Sequence, residues 1–448
     1  MNRSHVAPHL RLRRALACVV LGGLAGACGT PEPTPVPSVL LVTVDTLRAD
    51  HLGAYGYFRE TSPNIDALAR EGTVFENVIT TMATTLPAHV SLMTSTHPMT
   101  HGIKGNFSHM GEQFGATGIR TVAEVFTQLG YATAAFVSAA PLKDHTGIQI
   151  GFEHFDQPSE RDRLSSSTVD QATAWLAART DDRPFFIWVH LWDPHAPYTP
   201  PADYDVFEAE AGLSSYLASV GIADNERTAG WNNGYDGEIL YTDAELGRLF
   251  GAVRSDGVWD NTALVITADH GEGLGQHDWR DHGRIHNEQL DIPLIIKWPA
   301  FSGIAPSRSA TLGSSLDTLP TLFAGLGLPV DAALARQFEG LDLLSSARDA
   351  REYVLAERTH RERGWEDGNR YALLSANWKY LHATAGPGRL YDMRQDRIEL
   401  EDRLATESDV GAEMLAIIEI LLAAEQEHEQ GELPAERVEQ LRALGYIQ

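Results

Sequence analysis

The sequence predicts an α/β protein: a doubly wound, mostly parallel sheet flanked by helices, followed by a smaller C-terminal antiparallel sheet plus helix. Two apolar runs rich in β-branched residues, at 39–44 and 263–267, have the uninterrupted pattern of strands buried on both faces of a parallel sheet. Such runs alternate with helical stretches along most of the chain, which is typical of βαβ units. After about residue 340, short strand-like segments replace this alternation.

The main domain is expected over residues 39–340. Its strand-like runs are Val39 to Asp45, Ala132 to Val137, Phe185 to His190 and Ala263 to Ala268. Its helical stretches are Asn64 to Arg70, Thr121 to Leu129, Ser167 to Ala178 and Gly237 to Val253.

A C-terminal subdomain is expected over residues 341–448. Its strand-like segments are Tyr371 to Leu374, Trp378 to His382 and Leu390 to Asp392, which indicate a short antiparallel sheet. Two helices are predicted to follow, over Val410 to Glu427 and Ala435 to Leu444.

The N-terminus has the pattern of an export signal. Four arginines precede an apolar stretch, Ala15 to Ala27, that is too short to span a bilayer. Small residues before Cys28 resemble a bacterial lipobox, so residues 1–27 are predicted to be a signal peptide and Cys28 the lipidated first residue. The alternative is ordinary cleavage near Ala27 and release into the periplasm. Residues 28–38, rich in proline, are then an extended tether, and the protein is expected in the periplasm or at the outer membrane.

The composition excludes some classes of partner and of chemistry. A formal charge of -26, from 35 basic and 61 acidic residues, repels nucleic acid and anionic lipid headgroups. We therefore expect no nucleic-acid partner, and contact with a membrane only through a lipid anchor. The two cysteines, Cys18 and Cys28, both lie in the leader, so the folded body has no disulfide, thiolate ligand or cysteine nucleophile.

Two carboxylates and an imidazole follow predicted strands that are far apart in the sequence. Asp45 ends the first apolar run, and Asp269 and His270 follow the run at 263–267. Because the C-terminal ends of parallel strands meet at one edge of a sheet, these side chains are expected to converge. Unpaired buried carboxylates repel each other and need a cation. Each residue alone has a simpler explanation, a cap for Asp45 or a surface imidazole for His270, but their shared position predicts a divalent metal site.

Thr85 stands at the predicted start of another helix. Pro87, two residues later, suits the first helical turn. The Thr85 hydroxyl is either an N-cap of this helix or, beside a divalent metal, a nucleophile toward an anion held at the helix N-terminus. The local sequence favours the cap, and the predicted metal site favours the nucleophile.

Further histidines follow the predicted strand Phe185 to His190. His190, Asp193 and His195 lie within six residues and are interpreted as substrate donors, as ligands of a second metal, or as parts of a loop shaped by its prolines. The glycine-rich segment after Gly271 also carries histidines, among them His282, and can close over a substrate.

In combination, these motifs resemble the sulfatase family of the alkaline phosphatase superfamily, from Leu40 to about Pro299 and more weakly to the end. The motifs are Asp45-Thr46-Leu47-Arg48-Ala49-Asp50, Thr85-Leu86-Pro87-Ala88-His89, Pro98-Met99-Thr100-His101-Gly102, Asp193-Pro194-His195, Asp269-His270-Gly271-Glu272, Trp378-Lys379-Tyr380 and Leu390-Tyr391-Asp392.

The resemblance implies an alkaline-phosphatase-like fold and a role for each matching residue. Asp45, Asp269 and His270 correspond to metal ligands, with Thr85 at the nucleophile position and also on the metal. His195 and His282 correspond to catalytic residues near the substrate oxyanion or the leaving group. Contacts with the substrate are assigned to His89, His190 and Asp193.

The chain also departs from the family pattern. Where the family has a Cys-x-Pro-x-Arg segment whose cysteine becomes formylglycine, this chain has Thr85, Pro87 and His89, so no formylglycine forms. Thr46 replaces a second aspartate, and none of the four lysines (Lys104, Lys143, Lys297, Lys379) matches the active-site lysines of the family. Fewer carboxylates together with an imidazole favour zinc or manganese, whereas the resemblance favours calcium.

The expected activity is metal-dependent hydrolysis of a sulfate or phosphate/phosphonate ester of a small molecule or glycan. Thr85 attacks in line, and His282 or His195 protonates the leaving alcohol. A formylglycine hydrate can expel sulfate by re-forming its aldehyde, whereas a threonine ester cannot. This difference favours a phosphodiesterase or phosphonate monoester hydrolase. An alternative of another class is a catalytically silent anion-binding surface lipoprotein.

Overall fold

A computed structural model describes residues 36–208, 210–345, 351–358, 369–383, 387–430 and 439. The predicted signal peptide, the tether up to residue 35 and, apart from residue 439, the predicted helix over Ala435 to Leu444 lie outside the described residues. The chain from Val36 onward clusters as one compact unit. The predicted division at residues 340 and 341 stays a prediction.

The strands form an eight-stranded sheet, a four-stranded sheet and a two-stranded hairpin. In chain order they are β1 (Ser38–Val44), β2 (Thr73–Ile79), β3 (Ala132–Phe136), β4 (His154–Asp156), β5 (Phe185–Leu191), β6 (Thr262–Ala268), β7 (Gly273–Leu274), β8 (Arg280–Asp281), β9 (Asp291–Lys297), β10 (Ser307–Ser314), β11 (Val354–Glu357), β12 (Asn369–Leu374), β13 (Trp378–Ala383) and β14 (Arg389–Asp392).

The helices flank the large sheet and follow the small one. In chain order they are α1 (Pro63–Glu71), α2 (Thr85–Thr94), α3 (Pro98–His101), α4 (Met110–Thr117), α5 (Val122–Gln128), α6 (Ser165–Ala178), α7 (Ala211–Ser219), α8 (Glu226–Ser255), α9 (Asn287–Leu290), α10 (Thr318–Leu326), α11 (Ala332–Gln337) and α12 (Ser408–Gln430). None of the described helices is both long enough and apolar enough to cross a bilayer.

The large sheet has the order β10-β2-β9-β6-β1-β5-β3-β4. Neighbouring strands are parallel except at β9, which is antiparallel to both β2 and β6. Every residue of β1, β3, β5 and β6 is buried, which explains their unbroken apolar pattern. The predicted doubly wound, mostly parallel sheet is confirmed.

The small sheet is antiparallel, in the order β11-β12-β13-β14. One of its faces packs on α12 through residues such as Leu373, Tyr380 and Ile418. The other face packs against the end of β2 and α9, through residues such as Ala372 and Leu381. The predicted C-terminal antiparallel sheet plus helix is also confirmed, and its helix contributes to the core of this region.

Candidate active site

Three neighbouring strands deliver polar side chains to one edge of the large sheet. β6, β1 and β5 are adjacent and parallel, and their C-terminal ends lead into Asp269, Asp45 and the loop after Leu191. The backbone nitrogen of Asp45 donates to the carbonyl of Leu191 at 2.8 Å, which fixes two of these ends together. The sheet therefore brings together residues more than 200 positions apart, as the sequence predicts.

Asp45, Asp269 and His270 form a ligand trio whose ligand atoms all lie within 4.8 Å of one another. All three side chains are buried. Both oxygens of Asp45, Oδ2 of Asp269 and Nε2 of His270 are buried and have no hydrogen-bond partner among the described residues. Nδ1 of His270 faces the carbonyl of Gly271 at 3.0 Å and must donate to it, so Nε2 carries the free lone pair. The donor set fits a divalent cation.

The distances and charges within the trio agree with that fit. Oδ2 of Asp269 and Nε2 of His270 are 3.4 Å apart, a spacing suited to two ligands of one zinc ion, which lie roughly 3.3–3.5 Å apart at a tetrahedral angle. Burial, followed by the carboxylates of Asp269 and Glu272, raises the pKa of Asp45 well above its usual value. Burial lowers the pKa of His270 well below its usual value. A cation would stabilise the ionised carboxylates and the neutral imidazole.

The loop after β1 holds its shape through hydrogen bonds to the other elements. Thr46 has a φ of 54°, a left-handed conformation that costs energy for a β-branched residue. Its nitrogen donates to Oδ1 of Asp269 at 3.1 Å, and its carbonyl accepts from the hydroxyl of Tyr235 at 2.6 Å. Buried Arg48 donates to the carbonyl of Glu272 at 3.0 Å. These bonds tie the Asp45 loop to the Asp269 loop and to α8.

Thr85 is the first residue of α2, and Thr84 occupies the N-cap position. Thr85 is buried, as is the rest of α2. His89 links Thr85 to the ligand trio, because its Nδ1 lies 2.7 Å from the carbonyl of Thr85 and 3.7 Å from Oδ2 of Asp269. The nitrogen of Leu86 is held by Oδ1 of Asn106 at 2.8 Å. The backbone carbonyl of Thr85 and the carboxylate of Asp269 therefore both approach Nδ1 of His89, at the start of α2.

His89 and His190 are fully buried and contact protein groups of the site. Nε2 of His89 lies 3.0 Å from the hydroxyl of Thr43, so this ring is held at both nitrogens. Nε2 of His190 lies 3.3 Å from Oδ2 of Asp45. His89 therefore contacts the backbone of Thr85, and His190 contacts the carboxylate of Asp45. A direct contact of either histidine with substrate stays a prediction.

Asp193 holds the start of α6, and its contact with a substrate stays a prediction. Its Oδ2 accepts hydrogen bonds from the hydroxyl and, at 2.7 Å, from the backbone nitrogen of Ser165, the first residue of α6. The structure therefore engages this carboxylate in holding the start of a helix, and burial raises its pKa to about 6.

His195 and His282 lie beside the ligand trio. The ring of His282 is 4.5 Å from that of His270 and 5.1 Å from that of His195, measured between centroids. Burial, and then the neighbouring His282, lower the pKa of His195 well below its usual value. Burial also disfavours a charge on His282, but Glu272, Asp281 and Asp269 outweigh it and raise the pKa to about 9. The two imidazoles therefore differ in charge at neutral pH.

Sequence reasoning gave no role to three residues that shape the site: Arg48, Asn106 and Glu272. Arg48 and Glu272 stand inside the motifs of Asp45 and His270, and their closeness to those residues in the sequence is the signal that indicates them. Asn106 contacts α2 from a loop 20 positions away. Nothing in its local sequence indicates that contact.

Comparison with known proteins gives the family of the chain. The family model named Sulfatase matches residues 37–328. An arylsulfatase of Clostridium perfringens is 22% identical over 83% of this chain and 91% of its own length. The multifunctional alkaline phosphatase superfamily protein PehA of Trinickia caryophylli is 24% identical over 82% of this chain and 90% of its own length.

A solved structure, the phosphonate monoester hydrolase of Agrobacterium radiobacter, has the same fold. It aligns with a TM-score of 0.70 and 21% identity, covering 88% of this chain and 96% of that one. The match of the family model extends over more than half of the 448 residues. The chain therefore belongs to the sulfatase family.

Proposed function

We propose that the protein is a metal-dependent hydrolase of sulfate or phosphate/phosphonate esters, acting on a small-molecule or glycan substrate. One observation carries the proposal: Asp45, Asp269 and His270 present buried ligand atoms, unpartnered within the described part of the chain, beside Thr85. Membership of the sulfatase family supports ester hydrolysis as the reaction class.

The ligand trio would hold the cation, and its mixture of oxygen and imidazole nitrogen favours zinc or manganese. Calcium, which the family resemblance suggests, prefers six to eight oxygen ligands. When bound, a divalent cation supplies positive charge that acidifies a neighbouring hydroxyl and stabilises an anionic ester group.

Thr85 is the proposed nucleophile. The Thr85 hydroxyl gives its proton to solvent, and its Oγ1 forms a bond to sulfur or phosphorus while the bond to the leaving alkoxide breaks and that alkoxide takes a proton from His282. Water then adds its oxygen to the sulfur or phosphorus as the bond to Oγ1 breaks; a proton returns to Thr85, and His282 regains its proton from solvent. The N-terminus of α2 favours the anionic group, because backbone N–H groups and the helix dipole point toward it. His89 and Asn106 support the attack by fixing the backbone around Thr85.

His282, rather than His195, is the proposed proton donor to the leaving oxygen. The pKa of His282 is raised to about 9, so that its imidazole is protonated at neutral pH. His195 donates from Nδ1 to the carbonyl of Ala196 at 2.8 Å, which leaves Nε2 as an acceptor. The pair can orient an ester group and supply one proton.

Phosphodiester or phosphonate monoester hydrolysis is the second candidate, and the identity of residue 85 favours it. A threonine ester of sulfate has no aldehyde to re-form, so its cleavage requires a second displacement of the kind phosphate chemistry uses. The likeness to the phosphonate monoester hydrolase and to PehA agrees with this candidate.

The test is turnover of nitrophenyl sulfate, phosphate, phosphodiester and phosphonate by the purified protein, with and without a chelator. We expect chelator-sensitive release of nitrophenol from at least one ester. Thr85→Ala should lower kcat/KM by at least about 1000-fold. Thr84→Ala, one residue earlier, is the matched control and should retain most activity.

Two results would contradict the proposal. Full activity of Thr85→Ala would exclude Thr85 as the nucleophile and would indicate direct attack by water. Metal-dependent binding of sulfate or phosphate without turnover of any ester would instead support the silent anion-binding lipoprotein.

We also propose export to the periplasm and lipid anchoring through Cys28. The arginine-rich, apolar leader and the small residues before Cys28 support this location. Cys28→Ser should move the protein from the membrane fraction to the soluble periplasmic fraction. Equal partition of both forms would favour cleavage near Ala27 without lipid.

A further inference from the structure

A second group of ligands lies next to the trio of Asp45, Asp269 and His270. It consists of Glu272, Asp281 and His282, whose ligand atoms all lie within 4.8 Å of one another. Glu272 follows His270 by two residues, and Asp281 and His282 come from the end of β8, which pairs with β7. The hairpin therefore folds these side chains back onto the loop that carries the first ligands.

Glu272 is the strongest sign that this group has a ligand. Its side chain is fully buried, and neither carboxylate oxygen has a hydrogen-bond partner within the described ranges. Arg48 reaches this segment, but it donates to the main-chain oxygen of Glu272 and to the carboxylate of Asp50. A buried carboxylate is strongly unfavourable unless positive charge lies beside it, and either a protonated His282 or a bound cation supplies that charge.

The spacing within the group suits a shared cation. Nδ1 of His282 lies 3.2 Å from Oδ1 of Asp281 and 3.6 Å from Oε1 of Glu272. It makes no hydrogen bond among the described residues. Ligands of one zinc ion lie roughly 3.3–3.5 Å apart, whereas a charged N–H···O bond is about 2.7–2.9 Å long. These separations are closer to those of two ligands around one ion.

We propose that Glu272, Asp281 and His282 hold a second divalent cation, of the zinc or manganese class, adjacent to the first. Two carboxylates and one imidazole form a mixed oxygen and nitrogen donor set of the kind that these ions accept. Coordination through Nδ1 leaves the Nε2–H of His282 as a hydrogen-bond donor. A cation bound there would take the place of the proton on Nδ1 and keep positive charge beside the leaving group. His282 would then orient the leaving oxygen through its Nε2–H, and solvent would supply the proton in its place.

Metal content measured on the purified protein tests the proposal without any assay of turnover. After dialysis against zinc, wild type should hold two equivalents by elemental analysis. Glu272→Gln, which keeps the shape but removes the charge, should hold one. Glu238→Gln changes a buried carboxylate on α8 and is the matched control, which should hold two. A melting curve for each variant checks that it is folded.

An anomalous-scattering map of zinc-loaded wild type gives the same answer without relying on a variant. A peak at about 2.0–2.2 Å from Glu272, Asp281 and Nδ1 of His282 would support the second site. A single equivalent in wild type, or two equivalents retained in Glu272→Gln, would overturn it in favour of a protonated His282 paired with Glu272. The inference extends the proposed function, but two bound ions without ester turnover would contradict only the hydrolase.

Discussion

At the scale of single residues, Asp45 shows why the site requires a cation. Its carboxylate is fully buried, and His190 approaches it at 3.3 Å without satisfying either oxygen within the described structure. Asp269 and Glu272 add negative charge nearby. Ionised carboxylates in this position are destabilising unless a positive charge offsets them. The residue proposed to bind the metal is therefore expected to destabilise the metal-free protein.

This conflict predicts opposite effects of Asp45→Asn in the two states. In chelator, the variant should be more stable than wild type, with a free energy of unfolding higher by about 1–2 kcal/mol, because an uncompensated buried charge is removed. In zinc, wild type should gain stability and the variant should gain less. Thermal denaturation with and without zinc measures both effects.

Asp193→Asn is the control for that experiment. Asp193 is also buried, but its carboxylate accepts hydrogen bonds from Ser165. Its replacement should destabilise the protein in chelator and in zinc alike. If Asp45→Asn behaved in the same way, Asp45 would be a structural residue and the metal assignment would lose its main support.

At the scale of elements, α8 positions much of the surroundings of the site. This helix of 30 residues carries Tyr235, which holds Thr46, and Asp236, which accepts from His51, Tyr57 and Arg59. Two residues further, Glu238 accepts from the nitrogen of Thr199 at 3.0 Å, in the loop after β5. The helix therefore fixes both loops that flank the ligands.

Glu238 predicts a dependence of stability on pH. Burial, and then Asp193, raise its pKa from 4.5 to about 8, so the folded protein binds the proton more tightly than the unfolded chain does. The resulting stabilisation is fully present below pH 4.5 and is lost as the pH rises through about 8. Glu238→Gln mimics the protonated form and should remove this loss, about 1–3 kcal/mol between pH 5 and pH 9.

Denaturant unfolding of wild type and Glu238→Gln across this pH range is the measurement. Glu245→Gln is the control, because it changes a carboxylate on the same helix that pairs with Arg248. Its free energy of unfolding should depend on pH as that of wild type does. If the free energy of unfolding of Glu238→Gln changed with pH as that of wild type does, groups other than Glu238 would cause the pH dependence.

The strands that the sequence predicts differ in burial from those that it does not predict. β1, β3, β5 and β6 are buried along their whole length, so their apolar runs mark them within one or two residues. β10 is an edge strand whose first two residues, Ser307 and Arg308, are exposed. β9 contains Pro293, and a proline usually argues against a central strand. The ladder accommodates this proline where the β2 register shifts between Phe75 and Val78. Neither strand has the pattern that predicts a buried one.

The same reasoning explains the length of α8. Only residues 237–253 were predicted as helix, whereas the helix begins at Glu226. Its first half carries buried polar residues, among them Asn232 and Asp236, that interrupt an apolar periodicity. Those residues serve tertiary hydrogen bonds, which no local pattern reveals. The ligand trio was predictable because strand ends are positions that the sequence marks, whereas the contact of Asp193 with Ser165 depends on packing.

At the scale of the whole molecule, the small sheet is joined to the edge of the active site by a buried ion pair. Lys379 on β13 lies 2.8 Å from Glu399 and donates to the side chain of Asn287 at 2.7 Å. Glu399 also approaches Nδ1 of His286 at 3.2 Å, just before α9. Both members of the pair are fully buried. The C-terminal region therefore anchors the loop that carries His282.

Breaking this pair on one side should destabilise the protein strongly. Lys379→Met leaves Glu399 charged and buried, at an expected cost of about 3–5 kcal/mol in free energy of unfolding. The double variant Lys379→Met with Glu399→Gln should lose less than the single variant, because neither charge is left alone. Chemical denaturation of the three proteins measures the difference. If Lys379→Met lowered the free energy of unfolding by less than about 1 kcal/mol, the pair would be no stronger than an ion pair on the protein surface.

The proposed reaction requires one cation held by Asp45, Asp269 and His270 beside Thr85. A crystal structure of the zinc-loaded protein, with anomalous data at the zinc edge, tests it. We expect a peak at about 2.0–2.2 Å from carboxylate oxygens of Asp45 and Asp269 and from Nε2 of His270, with the Thr85 hydroxyl facing it. A map without a peak at these three residues, or with the Thr85 hydroxyl turned away and hydrogen-bonded elsewhere, would contradict the account.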